Sequence, residues 1–228
     1  MLVLVISRLC RISILFIATL IAAGCARFPE GSTPTTIREM SFNIEFNGPI
    51  NDTDWYFIPI DSAGGGTGPV PVFPGIAVGE GWVTGSATHY IQYHQRQYTV
   101  FEITSLQPFA SKYIGSPLRV TVPDAGQNTL QFTIDLNQIG ATGDTLDFNI
   151  ICTDQPFGSV RLLDALGRLG NDFANVDIRT NQPITNSEGL NPESPDVLDV
   201  LDQNRSIQQS NDQTKPLDIT DWSVTLNL

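Results

Sequence analysis

The sequence predicts an all-β fold, an antiparallel two-sheet β-sandwich of jelly-roll or immunoglobulin-like layout. Three observations carry this. Apolar residues recur at every second position in many short stretches, which is the period of a half-buried strand. Clusters of Gly, Pro and Asn separate those stretches, as turns do. No stretch sustains the 3.6-residue period of a long amphipathic helix.

The first strand runs through Phe42, Ile44 and Phe46, which alternate with Asn43 and Glu45. Asn47-Gly48-Pro49 ends it. Trp55 to Ile60 is apolar on both parities, so it is expected as a central strand covered on both faces, with Pro59 making its far end irregular. Residues 61–81 hold Gly64-Gly65-Gly66, Gly68-Pro69 and Pro74-Gly75. So long a loop in a compact domain is expected to be functional or mobile. Thr88 to His94 and Gln97 to Ser105 read as a hairpin around Gln95-Arg96. In that register Tyr93 opposes Tyr98, Ile91 opposes Val100 and His89 opposes Glu102, while Tyr90 pairs with Phe101 and Gln92 with Thr99. Gln-Arg is a poor two-residue turn, and a slip of one residue would exchange the faces.

Leu118, Val120 and Val122 alternate with Arg119 and Thr121. The cleanest amphipathic strand is Leu130, Phe132, Ile134 and Leu136 against Gln131, Thr133, Asp135 and Asn137. Gly140 to Asp144 turns into Leu146–Thr153, and these two strands are expected as antiparallel neighbours. Arg161 to Leu169 reads as a short helix or an irregular edge crossing. Val176 and Ile178 mark a short strand, residues 180–196 a loop, and Asp196 to Asp202 a helical turn or two. Trp222, Val224, Leu226 and Leu228 alternate with polar residues in a terminal strand that belongs inside a sheet, beside the first one.

At the N-terminus, Arg8 and Arg11 precede an apolar run from Ile12 to Ala23, broken only by Ser13 and Thr19. Its length suits the apolar region of an export signal, roughly 7–15 residues, and falls short of the ~20 needed to span a bilayer. Ile21-Ala22-Ala23-Gly24-Cys25 resembles the lipobox of bacterial lipoproteins, with Ala22 where Leu is usual. The resemblance implies cleavage before Cys25, a diacylglyceryl thioether on its sulfur and acylation of the new amino group. Several acyl chains on one residue anchor stably where one chain binds marginally. Ala26 is not the aspartate that holds Gram-negative lipoproteins in the inner membrane, so outer-membrane sorting is allowed. The alternatives are an ordinary cleaved signal with an incidental Cys25, or an uncleaved anchor helix. The implied organisation is a signal peptide over residues 1–24, a lipidated Cys25 with a flexible spacer over 25–39, and one β-sandwich domain over 40–228. The implied location is the cell envelope, with the body held at a membrane by its lipid.

The chain carries 12 Lys+Arg against 24 Asp+Glu. Residues 1–24 contain Arg8 and Arg11 and no acid, so the mature chain has 10 against 24, net −14. A body this acidic repels nucleic acid and anionic headgroups, which excludes a nucleic-acid role. Of three cysteines only Cys152 remains in the body, so it has no internal disulfide. Its place in the run Leu146, Phe148, Ile150, Cys152 reads as a small buried hydrophobe.

Site chemistry is sparse. His89 and His94 stand five apart on one strand and point to opposite faces, and no Cys/His cluster completes a zinc site. Oxygen-rich groups at Asn51, Asp52 and Asp54, and at Asp196, Asp199 and Asp202, lack the EF-hand spacing and serve equally as turns. No cofactor or metal is assigned. No Gly-x-Ser-x-Gly elbow or Ser-x-x-Lys is present, and a carboxylate pair such as Glu80 with Glu102 discriminates nothing in so acidic a chain. No catalytic residue is assigned.

Trp82, Tyr90, Tyr93 and Tyr98 cluster in sequence around the Gly-rich loop and hairpin. Flat aromatic faces beside Gln, His and Arg suit sugar rings, whereas the same residues also fill cores and pair across strands. Trp55-Tyr56-Phe57-Ile58-Pro59-Ile60-Asp61, leading into a Gly/Pro loop, is similar to secreted β-sandwich modules of the carbohydrate-binding and DOMON-like kind, with no motif that transfers a site. Two functions follow as expectations. One is a membrane-tethered module binding an extracytoplasmic ligand such as a glycan through those four aromatics. The other is a structural or assembly lipoprotein contacting envelope proteins. Exposure of the aromatics separates them.

Overall fold

The structure, a computed structural model, describes residues 37–72, 81–156, 161–166, 173–186 and 215–228. The chain divides into two units, Met1–Thr36 and Ile37–Leu228, and every described residue belongs to the second. The signal region, Cys25, most of the spacer and the Asp196–Asp202 segment lie outside the described residues, as does the tip of the Gly/Pro loop.

In chain order the strands are β1 (Glu39–Phe46), β2 (Trp55–Asp61), β3 (Pro69–Pro71), β4 (Val83–Gly85) and β5 (His89–His94). There follow β6 (Gln97–Leu106), β7 (Phe109–Gly115), β8 (Arg119–Thr121), β9 (Thr129–Asp135) and β10 (Thr145–Phe148). The last are β11 (Ile151–Gln155), β12 (Arg161–Ala165), β13 (Ala174–Asp177), β14 (Ile184–Thr185) and β15 (Ile219–Asn227). A five-stranded sheet runs β14-β15-β1-β9-β8. The larger sheet runs β12-β11-β2-β5-β6-β7, with β10 joining β2 to β13. Both are antiparallel. The predicted all-β sandwich is present.

The alternation read in the sequence points inward. Met40, Phe42, Ile44 and Phe46 of β1 pack with Leu130, Phe132 and Ile134 of β9 and Trp222, Val224 and Leu226 of β15. Opposite them lie Tyr56, Ile58 and Ile60 of β2, Ile91 and Tyr93 of β5, and Leu146 and Phe148 of β10. Phe148 meets Phe42 and Trp222 edge-on, each at 5.2 Å between ring centres. The two sheets therefore share one apolar interior, the arrangement that lets each bury its inner face. β15 pairs with β1 through its whole length, as the sequence indicated.

β2 is buried on both parities because a second cluster covers its outer face. Phe57, Trp82, Val83, Tyr90 and Ile151 form it, with Trp55, Phe101 and Phe109 at its margin. The Gly/Pro segment folds over this face as the short β3–β4 hairpin, whose backbone continues into the bond Val72 N–H to Trp82 C=O. Trp82 lies flat on Phe57, with ring centres 3.9 Å apart.

The hairpin register matches the sequence reading pair for pair, from His89 with Glu102 to Tyr93 with Tyr98. Its turn holds Gln95 at φ 50° and Arg96 at φ 62°, a left-handed pair that neither residue favours. Asp52 supports it from outside the hairpin. Its carbonyl accepts the Gln95 amide at 2.7 Å, and its carboxylate accepts Tyr93 Oη and Arg96 Nη1.

Three expectations are corrected. β9 and β10 are not neighbours but lie in opposite sheets, because the link between them buries Leu136, Ile139 and Ala141 in the interior and crosses from one layer to the other. Alternation fixes which face is buried, not which strand is adjacent. The run around Val120 is only a three-residue edge strand, and it lies beyond the cover of the other sheet, so Leu118 and Val120 stay exposed. Arg161–Ala165 takes the second of its two readings, an edge strand on β11 with shifted register. Pro59 leaves its own strand regular and interrupts the neighbour instead. β10 ends at Phe148 opposite Ile60, and β11 begins at Ile151 opposite Phe57. In the gap, fully buried Asn149 accepts the amides of Ile150 and Leu166 and donates to Pro69 C=O.

Candidate functional site

All four aromatic residues singled out in the sequence are buried, so none offers a flat face to a ligand. Tyr93 and Tyr98 point between the sheets, where their rings lie 4.8 Å apart. Trp82 and Tyr90 belong to the outer cluster, with ring centres at 5.1 Å. Burial pushes the Tyr98 phenol well above its ordinary value, and its hydroxyl donates to Thr121 C=O at 3.1 Å. Burial also raises Tyr93, whose hydroxyl donates to Asp52. The expected aromatic platform is corrected: the Gly/Pro segment covers one face of the sheet, and the other sheet covers the opposite face.

The two histidines point to opposite faces, as expected from their spacing. His94 stacks on Trp55 with ring centres 3.6 Å apart and places Nδ1 at 3.0 Å from Asp54 C=O. His89 pairs through Nδ1 with Thr88 Oγ1. Cys152 is fully buried. Among the described residues no group of three or more His, Cys, Asp or Glu could hold a metal.

The surface with binding geometry is the outward face of the five-stranded sheet. Because β1, β9, β8 and the run Asp221–Asn227 of β15 alternate, their odd-numbered residues stand away from the core. Pairing aligns them in two rungs. One runs Arg119, Thr133, Ser41, Thr225, and the next runs Thr121, Gln131, Asn43, Ser223. These side chains line a depression of about 470 Å³. Ser41 and Thr133 share a hydrogen bond of 2.8 Å, and Gln131 Nε2 donates to Asn43 Oδ1 at 2.8 Å. Among the described residues no internal hydrogen bond engages the hydroxyls of Thr121, Ser223 and Thr225, so they face outward as donors and acceptors. Arg119 closes one end with a bidentate pair to Glu39, which holds the Glu39 carboxyl below the ordinary range. Among the described residues no carboxylate lines the depression itself.

Beside it, Val120 turns to the other side of β8 and opens a cleft of about 280 Å³ along the edge of the sandwich. Thr99 and Tyr113 form its opposite wall, with Tyr98 between them and Arg96 at one end. Tyr113 is 57% exposed, the most open large apolar side chain among the described residues. Sequence reasoning missed both surfaces. The rungs were present as the polar half of each alternation, but their alignment needed the strand order.

Comparison with known proteins finds nothing similar: no family model matches the chain, and neither a curated protein nor a solved structure matches it.

Proposed function

We propose that the protein is a lipid-anchored module of the cell envelope whose β-sandwich binds a polyhydroxylated ligand, a glycan, on the outward face of the five-stranded sheet. The observation that carries this reading is the pair of aligned rungs, with outward hydroxyls at Thr121, Ser223 and Thr225 around a depression of about 470 Å³. Hydroxyl and amide groups at strand spacing can exchange donors and acceptors with sugar hydroxyls. Few apolar faces are in reach, so affinity rests on hydrogen bonds that compete with water and is modest for each. The anchor rests on Ile21 to Cys25, with the basic and apolar run before it.

The test is a glycan array probed with residues 26–228, followed by NMR titration of any sugar that binds. Shifts at Asn43, Gln131 and Ser223, lost in Asn43→Ala/Gln131→Ala, support the reading. No binding to any sugar, or shifts confined elsewhere, rejects it. Fatty-acid labelling of wild type but not Cys25→Ala tests the anchor separately.

One observation favours contact with an envelope protein instead. Tyr113, Leu118 and Val120 are all exposed and lie where the chain passes from β7 to β8. Exposed apolar groups on an open sheet edge are a common protein contact. Photo-crosslinking from position 113 in intact cells, yielding one defined protein adduct, would favour this second reading.

A further inference from the structure

Asp61 and Asp147 are direct partners across β2 and β10. Residues opposite each other in an antiparallel pair project from the same face, so the two carboxyl groups stand side by side. Both are removed from water, Asp61 at 4% and Asp147 at 1% exposure. Among the described residues no Lys or Arg pairs with either. Asp61 Oδ1 accepts the amide of Ala63, and Asp147 Oδ1 accepts from Asn175 Nδ2. Asp147 Oδ2 is buried with no hydrogen-bond partner.

The glycine run closes over this pair. Gly64 and Gly65 hold φ of 64° and 72°, open to glycine and strained for other residues. A Cβ on Gly64 would lie 2.5 Å from the Thr145 carbonyl oxygen. A Cβ on Gly66 would lie 2.5 Å from Ser86 Oγ and 3.2 Å from Asp61 Oδ2. Only a chain without side chains at positions 64 and 66 brings so many oxygens this close. Burial raises the Asp147 carboxyl above its ordinary range, Asn175 pulls it back, the charge of Asp61 raises it again, and the backbone amide of Gly65, which reaches the carboxyl from the turn, lowers it. Two adjacent buried carboxylates repel unless one takes a proton or a cation lies between them, and among the described residues no Lys or Arg pairs with either.

We propose that Asp61 and Asp147 bind one divalent cation of the calcium class, held beneath the Gly64–Gly66 turn. Carboxylate, carbonyl and hydroxyl oxygens are the hard ligands that calcium takes, and its tolerance of irregular geometry suits a site formed partly by a loop. The site lies on the larger sheet and is separate from the polar rungs of the smaller one. Its occupant would fix the Gly/Pro segment whose Trp82 covers the outer cluster.

The experiment uses residues 26–228 stripped with chelator, then titrated with calcium chloride alone to about 5 mM, a range that covers weak extracellular sites. The expected result is uptake of one ion per chain, a melting temperature higher by about 5 °C at saturation, and NMR shifts centred on the Gly64–Gly66 amides. Asp147→Asn keeps the shape and should lower the affinity at least tenfold. No uptake by the wild type overturns the proposal, and so does unchanged affinity in both Asp147→Asn and Asp61→Asn. If these variants fail to fold, the wild-type shift map decides. Shifts at Gly64–Gly66 support the site, and shifts confined to the exposed Asp144 and Asp177 carboxylates overturn it.

Discussion

Asp164 Oδ2 accepts the backbone amide of Ile219 at 2.8 Å, a hydrogen bond that passes from the edge of one sheet to the first residue of a central strand in the other. Asp164 is fully buried, and its Oδ1 accepts the amide of Ala165 at 2.9 Å. Apolar contact brings the sheets together without direction, whereas this bond fixes where β15 starts. Asp164→Ala leaves the Ile219 amide buried without an acceptor and should cost about 2–3 kcal/mol. Asp164→Asn keeps a neutral acceptor and should cost less. Urea unfolding measures both, and equal stability of wild type and Asp164→Ala would remove the clamp from the account.

The hairpin turn is open to improvement. Gln95 and Arg96 both hold left-handed backbone that Asn and Gly adopt with less strain. The ion pair Arg96 makes with Asp52 is exposed and long at 3.4 Å, so its loss matters little. Gln95→Asn/Arg96→Gly should raise stability by about 1 kcal/mol, read as a higher urea midpoint at unchanged slope.

Trp82 acts as a cover, not as a ligand platform. Trp82→Ala removes a 1% exposed ring from against Phe57 and Tyr90, and should cost about 3–5 kcal/mol. Trp82→Phe should lose less and leave any glycan binding unchanged. A Trp82→Phe protein that is stable yet blind to a bound sugar would return this residue to the binding site.

His89 gives the fold a defined pH response. Desolvation lowers its folded-state value below 6.5, and nearby Glu102 opposes that only in part. The folded chain therefore prefers neutral imidazole. Its contribution is complete above pH 6.5 and is lost as pH falls from there through the lower folded value. His89→Gln should flatten melting temperature against pH across that interval. A wild-type curve no steeper than that of the variant would contradict the assignment.

What could be read in advance was the period of each strand and, at the hairpin, the register. β1 alternates through its whole length, and β9 and β15 through most of theirs, because one face of each meets the core, and two residues between β5 and β6 leave little choice of pairing. β2 was legible as a doubly covered strand from its unbroken apolar run. Partnership was not legible: β9 and β10 share a pattern and are close in sequence, yet face each other across the interior. Nor was the fate of the aromatic residues. Tyr90 and Tyr93 look alike in sequence, but one packs beneath the Gly/Pro segment and the other between the sheets. The polar rungs, and the meeting of Asp61 with Asp147, exist only once strands distant in the chain are side by side.

The pairing of β1 with β15 has a consequence for assembly. Glu39 and Asn227 touch across 188 positions of sequence, so the middle of the smaller sheet waits on residues made long after β1. Until then β1 has an open flank and the sandwich a missing plank, a state that is slow to close because so long a loop must be gathered first. A polypeptide built this way gains its final shape only once β15 can reach β1.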